Sequence, residues 1–425
     1  MTNNQSTKRR KLWERPWKYK ESFIVALELL ILGFIIEVLD QGAGIEPLQM
    51  PYNIYVAVGF VFVLIFVYTF YKNNFIVQWL SRVPAAMSAI TLFTVITLML
   101  GFIKQNDPEA PRIIQILGLT HVKTSWPLAV ATIYFLTTLG FVTMRRAIPL
   151  KGKNIGFLMN HLGLWIVITT ATLGSGDLKR LTLNLYEDKG YNNFAFDKER
   201  KVYRMPVSMN LLDFDVTYYP PKMAMVDART NKIIYGDDAG LIMINDSLVA
   251  NMQDWKIGVV DYLPFAKWNG ETFVADTSEG ASPAALVVAM NQEKPDTVAG
   301  WLASGSSRTE QKYLPLSPER ILFLTKPEPK KYSSEIMVKK EDGSEEKILL
   351  EVNKPYKAAG WKFYQMSYNQ QRGKWSELSV IEAISDPWLP VVYVGFFLMI
   401  GGALYLFWIG RGTKTIDEDL QTKND

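Results

Sequence analysis

YNIYVAVGFVFVLIFVYTFY, residues 52–71, runs for twenty positions without a charged side chain. Wound as a helix rising about 1.5 Å per residue, it is long enough to cross the hydrocarbon core of a bilayer. In lipid each backbone N–H and C=O must be satisfied within its own segment, so a span of this length reads as a helix. Five more runs of this kind lie on either side of it. Residues 23–39 are interrupted only by Glu28 and Glu37; 84–103 and 126–144 are uncharged. Residues 155–175 are apolar except for His161 and a few small polar residues. Residues 388–409 are again uncharged, with Trp388, Tyr405 and Trp408 near the ends, where amphipathic rings suit the water interface. One such run could be a buried helix of a water-soluble protein. Six predict a polytopic α-helical membrane protein.

Basic residues set the expected orientation. Residues 1–20 carry Lys8, Arg9, Arg10, Lys11, Arg15, Lys18 and Lys20 against Glu14 alone. The linker after the second run holds Lys72 and Arg82, and the one after the fourth holds Arg145, Arg146, Lys151 and Lys153, neither with an acid. Residues 40–51 have Asp40 and Glu46 and no base, and 104–125 are mixed. The expectation is a basic cytoplasmic tail over 1–21, a cytoplasmic tail over 410–425, and segment 176–387 on the outer side of a bacterial cytoplasmic membrane. No small-residue cleavage site of the A-x-A kind follows the first run, which therefore reads as a retained helix.

Segment 176–387 is hydrophilic and patterned for strands. Residues 334–340 and 347–352 flank Asp342-Gly343, a short-range hairpin signal. Residues 207–219, 222–227, 233–235, 255–262 and 361–367 are further β-leaning stretches bounded by turn residues. The expected fold is a large, mostly β domain, an antiparallel sandwich or curled sheets with one large or two small cores, inserted between the fifth and sixth spans.

The whole-chain averages conceal this division. Mean hydropathy is +0.03 and net charge +4, from 46 basic and 42 acidic residues. That balance argues against a nucleic-acid binder. The absence of cysteine excludes thiol nucleophiles, thiolate metal sites, dithiol redox motifs and disulfides. With two histidines no three-histidine zinc site can form. No phosphate loop, serine-nucleophile elbow or H-E-x-x-H helix is present, so no catalytic residue is expected.

The remaining polar residues within the spans carry the chemistry. His161 lies about seven residues, or roughly 10 Å, into the fifth run. An imidazole there faces a partner or a cavity, either as an interhelical hydrogen bond or as an axial ligand to heme or another metal. Glu28 lies at a similar depth in the first run. It could orient the second ring nitrogen of His161, or simply snorkel toward the basic N-terminal residues. Glu37 and Asp40, near the other end of that run, read as solvated. His121 follows 111–120, read as a short surface helix, and is an external ligand or merely exposed. Trp255, Trp268, Trp301, Trp361 and Trp375 could form an apolar shelf for a porphyrin or belong to the domain core. Lys330, Lys331, Lys339 and Lys340 with Glu341, Asp342, Glu345 and Glu346 read as a solvated hairpin.

The run Asn160-His161-Leu162-Gly163-Leu164-Trp165, leading into Gly174-Ser175-Gly176, resembles the histidine-bearing span of the ResB family of System II cytochrome c biogenesis proteins. So do Met205-Pro206-Val207, Leu211-Leu212-Asp213-Phe214, Tyr218-Tyr219-Pro220, Val352-Asn353-Lys354-Pro355, Gly360-Trp361-Lys362-Phe363-Tyr364-Gln365-Met366-Ser367-Tyr368, Ser379-Val380 and Asp386-Pro387-Trp388. The resemblance covers about residues 84–410; the first two spans are additional to the simplest members. It implies a heme-handling subunit that works with a CcsA/ResC-type membrane protein, which carries the tryptophan-rich heme motif this chain lacks. Together they would carry heme b across the membrane, bound transiently and without a covalent link, and present it to apocytochrome c. His161 then stands where the family's intramembrane heme ligand stands. Thiol-reducing proteins enter only indirectly, since this chain has no cysteine. Two readings of other classes stand beside this one: a membrane-anchored scaffold or ligand sensor with an external β domain, and a proton-coupled transporter using Glu28 and His161.

Overall fold

The computed structural model describes residues 11–234 and 240–410, the side chains of 409 and 410 excepted. Lys8, Arg9, Arg10, Tyr235 and the tail beyond 410 lie outside these residues. The chain forms two compact units, Met1–Leu178 with Asp386–Asp425, and Lys179–Ser385. The second lies within the anticipated 176–387.

The first unit is helical: α1 (Tyr19–Leu39), α2 (Tyr52–Tyr71), α3 (Phe75–Leu80), α4 (Val83–Phe102), α5 (Arg112–Ile116), α6 (Trp126–Ala147), α7 (Ile155–Leu173) and α8 (Leu389–Gly410). Among the described residues, six of these are long and apolar enough to cross a membrane. The differences from expectation lie at helix ends, where capping rather than hydropathy decides. Helix α1 starts four residues before its apolar run, because Glu21 Oε2 accepts a 2.8 Å bond from Lys18 N. Helix α6 continues through Arg145 and Arg146, cations suited to a helix C-terminus. Helix α7 ends at Leu173 and passes into a 3₁₀ turn, Gly174–Asp177. Asp386 Oδ1 accepts 3.1 Å bonds from Trp388 N and Leu389 N, starting α8. Helix α3, capped by Asn74, is too short to register in a hydropathy pattern. Helix α5 is shorter than the anticipated 111–120 because Gly118, at φ +70°, ends it.

The unit's core joins Ala26 of α1, Ala85, Ala89 and Leu92 of α4, and Ala131, Tyr134 and Phe135 of α6. Helices α7 and α8 approach more closely still. A Cβ on Gly163 would stand 2.5 Å from Gly395 O, so backbone lies on backbone there.

The second unit is all antiparallel sheet. Its strands begin with β1 (Lys179–Tyr186), β2 (Asn192–Phe196), β3 (Val202–Tyr218), β4 (Lys222–Asp227), β5 (Leu241–Met243) and β6 (Val249–Met252). They continue with β7 (Trp255–Trp268), β8 (Phe273–Ala275), β9 (Ser282–Asn291), β10 (Thr297–Ala303), β11 (Leu314–Ser317) and β12 (Arg320–Leu324). The last are β13 (Pro329–Lys340), β14 (Glu345–Glu351), β15 (Tyr356–Ala358), β16 (Trp361–Tyr368) and β17 (Leu378–Ser385). Of the anticipated 233–235 strand, Ile233 forms an isolated bridge with Val226 and Ile234 N donates to Met225 O at 2.9 Å, while Tyr235 lies outside the described residues.

Eight strands form one sheet in the order β14-β13-β3-β2-β1-β17-β16-β15. Leu181, Leu183 and Leu185 of β1 alternate inward, as do Met205, Val207, Met209 and Leu211 of β3. Ile336, Val338, Leu350, Phe363 and Ile381 complete this core from other strands of the same sheet, which therefore curls around its own apolar face. Along β3 the buried positions change from odd to even numbers, continuing at Phe214 and Val216. Pairing with β13 shifts there, Leu211 facing Ile336 and Asp213 facing Glu335, so Leu212 is a bulge that re-aims the rest of the strand.

The other two sheets, β10-β9-β7-β6 with β8, and β11-β12-β4-β5, enclose a second core. Met223, Met225, Leu322 and Leu324 meet Trp255, Ile257, Val287 and Leu302 there. The domain thus has two principal cores, one in a curled sheet and one in a sandwich. The Asp342-Gly343 hairpin forms as anticipated, with Gly343 at φ +81° and ion pairs Lys339–Glu345 at 3.3 Å and Lys340–Glu346 at 3.1 Å.

Candidate functional site

His161 lies two turns into α7, on the helix flank between the glycine contact with α8 and the residues that reach α6. One turn earlier Phe157 stacks on the imidazole, with ring centroids 3.7 Å apart, and the Arg146 guanidinium lies 5.3 Å from the Phe157 centroid. One turn later Trp165 Nε1 donates to Leu136 O of α6 at 3.2 Å, and its ring stacks on Phe60 of α2. The imidazole is half-buried and fixed from its own helix: Nδ1 is 2.9 Å from Phe157 O. A carbonyl oxygen only accepts, so Nδ1 carries the proton and Nε2 carries the lone pair. Nε2 makes no hydrogen bond to a described residue. That is the protonation pattern of a metal-binding histidine, with one nitrogen committed to a carbonyl and the other available.

The acceptor at Nδ1 is therefore the Phe157 carbonyl and not Glu28. Glu28 is exposed on α1 and makes no hydrogen bond or ion pair with a described residue. The buried face of α1 packs against α4 and α6.

The other histidine is engaged elsewhere. His121 Nε2 lies 2.9 Å from Glu37 Oε1, and Glu37 Oε2 accepts from Trp126 N at 2.7 Å. Glu37 is fully buried, and Gly118 lies against its carboxyl, where a Cβ would come within 2.7 Å. This corrects the expectation that Glu37 is solvated. The 104–125 connection folds back over the end of α1 and removes the carboxylate from water, which it tolerates because both oxygens are bonded. His121 is thereby engaged through Nε2, which ties the loop that carries it to the end of α1. Asp40 accepts from Trp126 Nε1 at 3.2 Å and stays exposed.

A second polar junction, not anticipated, joins three helix ends. Asp177 Oδ2 accepts from Asn53 Nδ2 and Trp388 Nε1, both at 2.6 Å, and Asn53 also donates to Leu173 O at 3.0 Å. Asn53, fully buried at the start of α2, is the only polar residue in that helix's first two turns besides tyrosines, a signal the sequence did carry.

Among the described residues, no three histidine, aspartate or glutamate side chains gather as a metal cage. A lone imidazole with a free Nε2 suits instead an iron whose equatorial ligands come from a macrocycle, needing from this chain one axial position.

In the β domain the tryptophans do not form a shelf. Trp255 is in the sandwich core, Trp361 packs on the curled-sheet core, and Trp268 and Trp301 flank Phe273. Of the five, Trp375 lines a cleft of about 900 Å³ that also borders Tyr218, Tyr262, Phe265, Ser282 and Lys374. Lys374 Nζ lies 3.6 Å from the Phe265 centroid, and burial lowers its pKa against the opposing pull of Asp215. Burial pushes the Tyr262 hydroxyl up to about 12. The sequence matches no protein-family model and no curated protein.

Proposed function

We propose that this chain is a ResB-like subunit of a cytochrome c assembly complex, helping to carry heme b across the bacterial cytoplasmic membrane and present it to apocytochrome c outside. The observation that supports the reading is the His161 imidazole, held by Phe157 O at Nδ1 with Nε2 free, on a helix long enough to span the bilayer. Heme, when bound, supplies an iron with axial positions for such a nitrogen. This chain's part is to hold and orient: the Phe157 carbonyl fixes the tautomer, the Phe157 ring limits rotation, and the α7–α8 backbone contact keeps the helix in place. The remaining ligand and the tryptophan-rich surface fall to a CcsA/ResC-type partner, and the thiol chemistry to other proteins, since this chain has no cysteine. The basic linkers and N-terminal tail favour cytoplasmic termini, with the β domain outside. The membrane itself supplies the solvent; nucleic acid has no part in this reading.

The test is heme content of the full chain purified after co-expression with its CcsA/ResC-type partner. The wild type and His121→Gln should show a Soret band, and His161→Ala should lose it. If His161→Ala retains full heme content, the assignment fails. The cleft in the β domain favours one other reading, a membrane-anchored ligand sensor. That reading gains if the purified chain and partner hold no heme.

A further inference from the structure

Helix α1 has two faces of opposite character. Ser22, Ala26, Gly33 and Glu37 are buried, and Gly33 sits so close to α6 that a Cβ would meet Pro127 Cα at 2.7 Å. The other face presents Leu27, Ile31, Ile35 and Val38, whose spacing makes one exposed stripe along the helix. Glu28 lies within that stripe. It is exposed and has no hydrogen-bonding or charged partner among the described residues. Nine residues of helix separate it from Tyr19, or about 13 Å of rise. The nearest base on α1, Lys20, is eight positions away, beyond the reach of an i,i+4 pair.

Large apolar side chains can rest directly against lipid. A carboxylate among them is costly there, and within membranes such groups pair with another polar group. Glu37, in the last turn of α1, is paired through both oxygens. We propose that the Leu27–Glu28–Ile31–Ile35 face of α1 docks a transmembrane helix of a second, different polypeptide that brings a lysine, arginine or histidine to Glu28. Charge complementarity selects this occupant. A second copy of the chain, docked two-fold through the same face, would set Glu28 against Glu28. The inference deepens the partner reading above and rests on it only for which protein the helix belongs to.

The full chain is tested in its native membranes, with a photoreactive phenylalanine analogue at Leu27 or Ile31. One protein adduct is expected, and its crosslinked peptide, sequenced by mass spectrometry, is an apolar span bearing a lysine, arginine or histidine. Adduct yield should fall about tenfold in Glu28→Leu and Glu28→Lys, the scale of one polar contact between membrane helices. Exchanging the partner's base for glutamate should restore it in Glu28→Lys. Because Glu28 is exposed and makes no hydrogen bond or ion pair with a described residue, these variants should keep the chain's own thermal unfolding unchanged, which separates lost docking from lost folding. Undiminished yield in Glu28→Leu, a self-adduct, or lipid adducts alone overturns the proposal. A basic span from a protein that is not of the CcsA/ResC type upholds the docking face and removes support from the cytochrome c reading.

Discussion

Helix α2 and strand β3 use opposite rules for what lies inside. Among the residues of α2 only Asn53 and Leu64 are buried, while Phe62, Phe66 and Phe70 are exposed. Along β3 the buried residues are Met205, Val207, Met209, Leu211, Phe214 and Val216, and the residues between them face out. The sheet excludes apolar groups from water, so its interior is apolar. The helix has an apolar exterior because its length and hydropathy suit lipid, and its few buried positions hold it to its neighbours, Asn53 by hydrogen bonds and Leu64 by packing against Val77 and Phe141. Large apolar side chains therefore mark the interior of the β domain and much of the exterior of α2.

Three substitutions press on that contrast. The largest effect is expected at Phe363, fully buried in the curled sheet. Phe363→Ala should destabilise the β domain by about 4 kcal/mol, seen as faster amide exchange across β16 and β17 in the detergent-solubilised chain. Unchanged exchange would mean that this core is not cooperative. Next is Glu37→Leu, which makes the helical unit more apolar and by the rule of the sheet should stabilise it. The expected result is a loss of about 3 kcal/mol, because Trp126 N and His121 lose their buried acceptor. Thermal unfolding in detergent reads it, and a stabilised variant would mean that the Glu37 network is dispensable.

The smallest effect is a pH dependence confined to the β domain. Lys331 and Lys354 hold the Glu351 carboxyl down at about 2. A depressed carboxylate adds stability above its ordinary range near 4.5 and loses that contribution as pH falls through its folded value. Amide exchange in β13 and β14 should therefore rise between about pH 4.5 and 2. Glu351→Gln should flatten that rise. A variant that keeps it would place the titrating group elsewhere.

The sequence made the two materials legible for the reason that separates them. An uncharged run of twenty residues has few other uses, and an Asp342-Gly343 turn between β-rich segments has one common solution. Positions set by a distant partner were not legible. Glu37 and His121 are 84 residues apart, and Glu37 looked solvated because nothing near it in sequence shows the connection that covers it. The strand phase of β3 was read through 207–219 as one run, since the bulge at Leu212 depends on β13, more than a hundred residues later. The five tryptophans, alike in composition, fall into separate cores and one cleft because neighbours in sheet order are not neighbours in sequence. At the candidate site, His161 stood out as an imidazole in an apolar run, whereas its tautomer needed the carbonyl one turn back. Glu28 stood out for the same reason, yet its facing required knowing which side of α1 the bundle uses.

Lys179, the first residue of the β domain, pairs across the sheet with Ser385, the last. The domain's two ends are thus one rung of an antiparallel ladder, and the cost of closing so long an excursion of chain is met within its own first and last strands. Such an insertion is a cassette. A short linker replacing residues 179–385 would ask only that α7 turn into α8 as in any helical hairpin, and the same paired ends could be spliced into an exposed loop of an unrelated host.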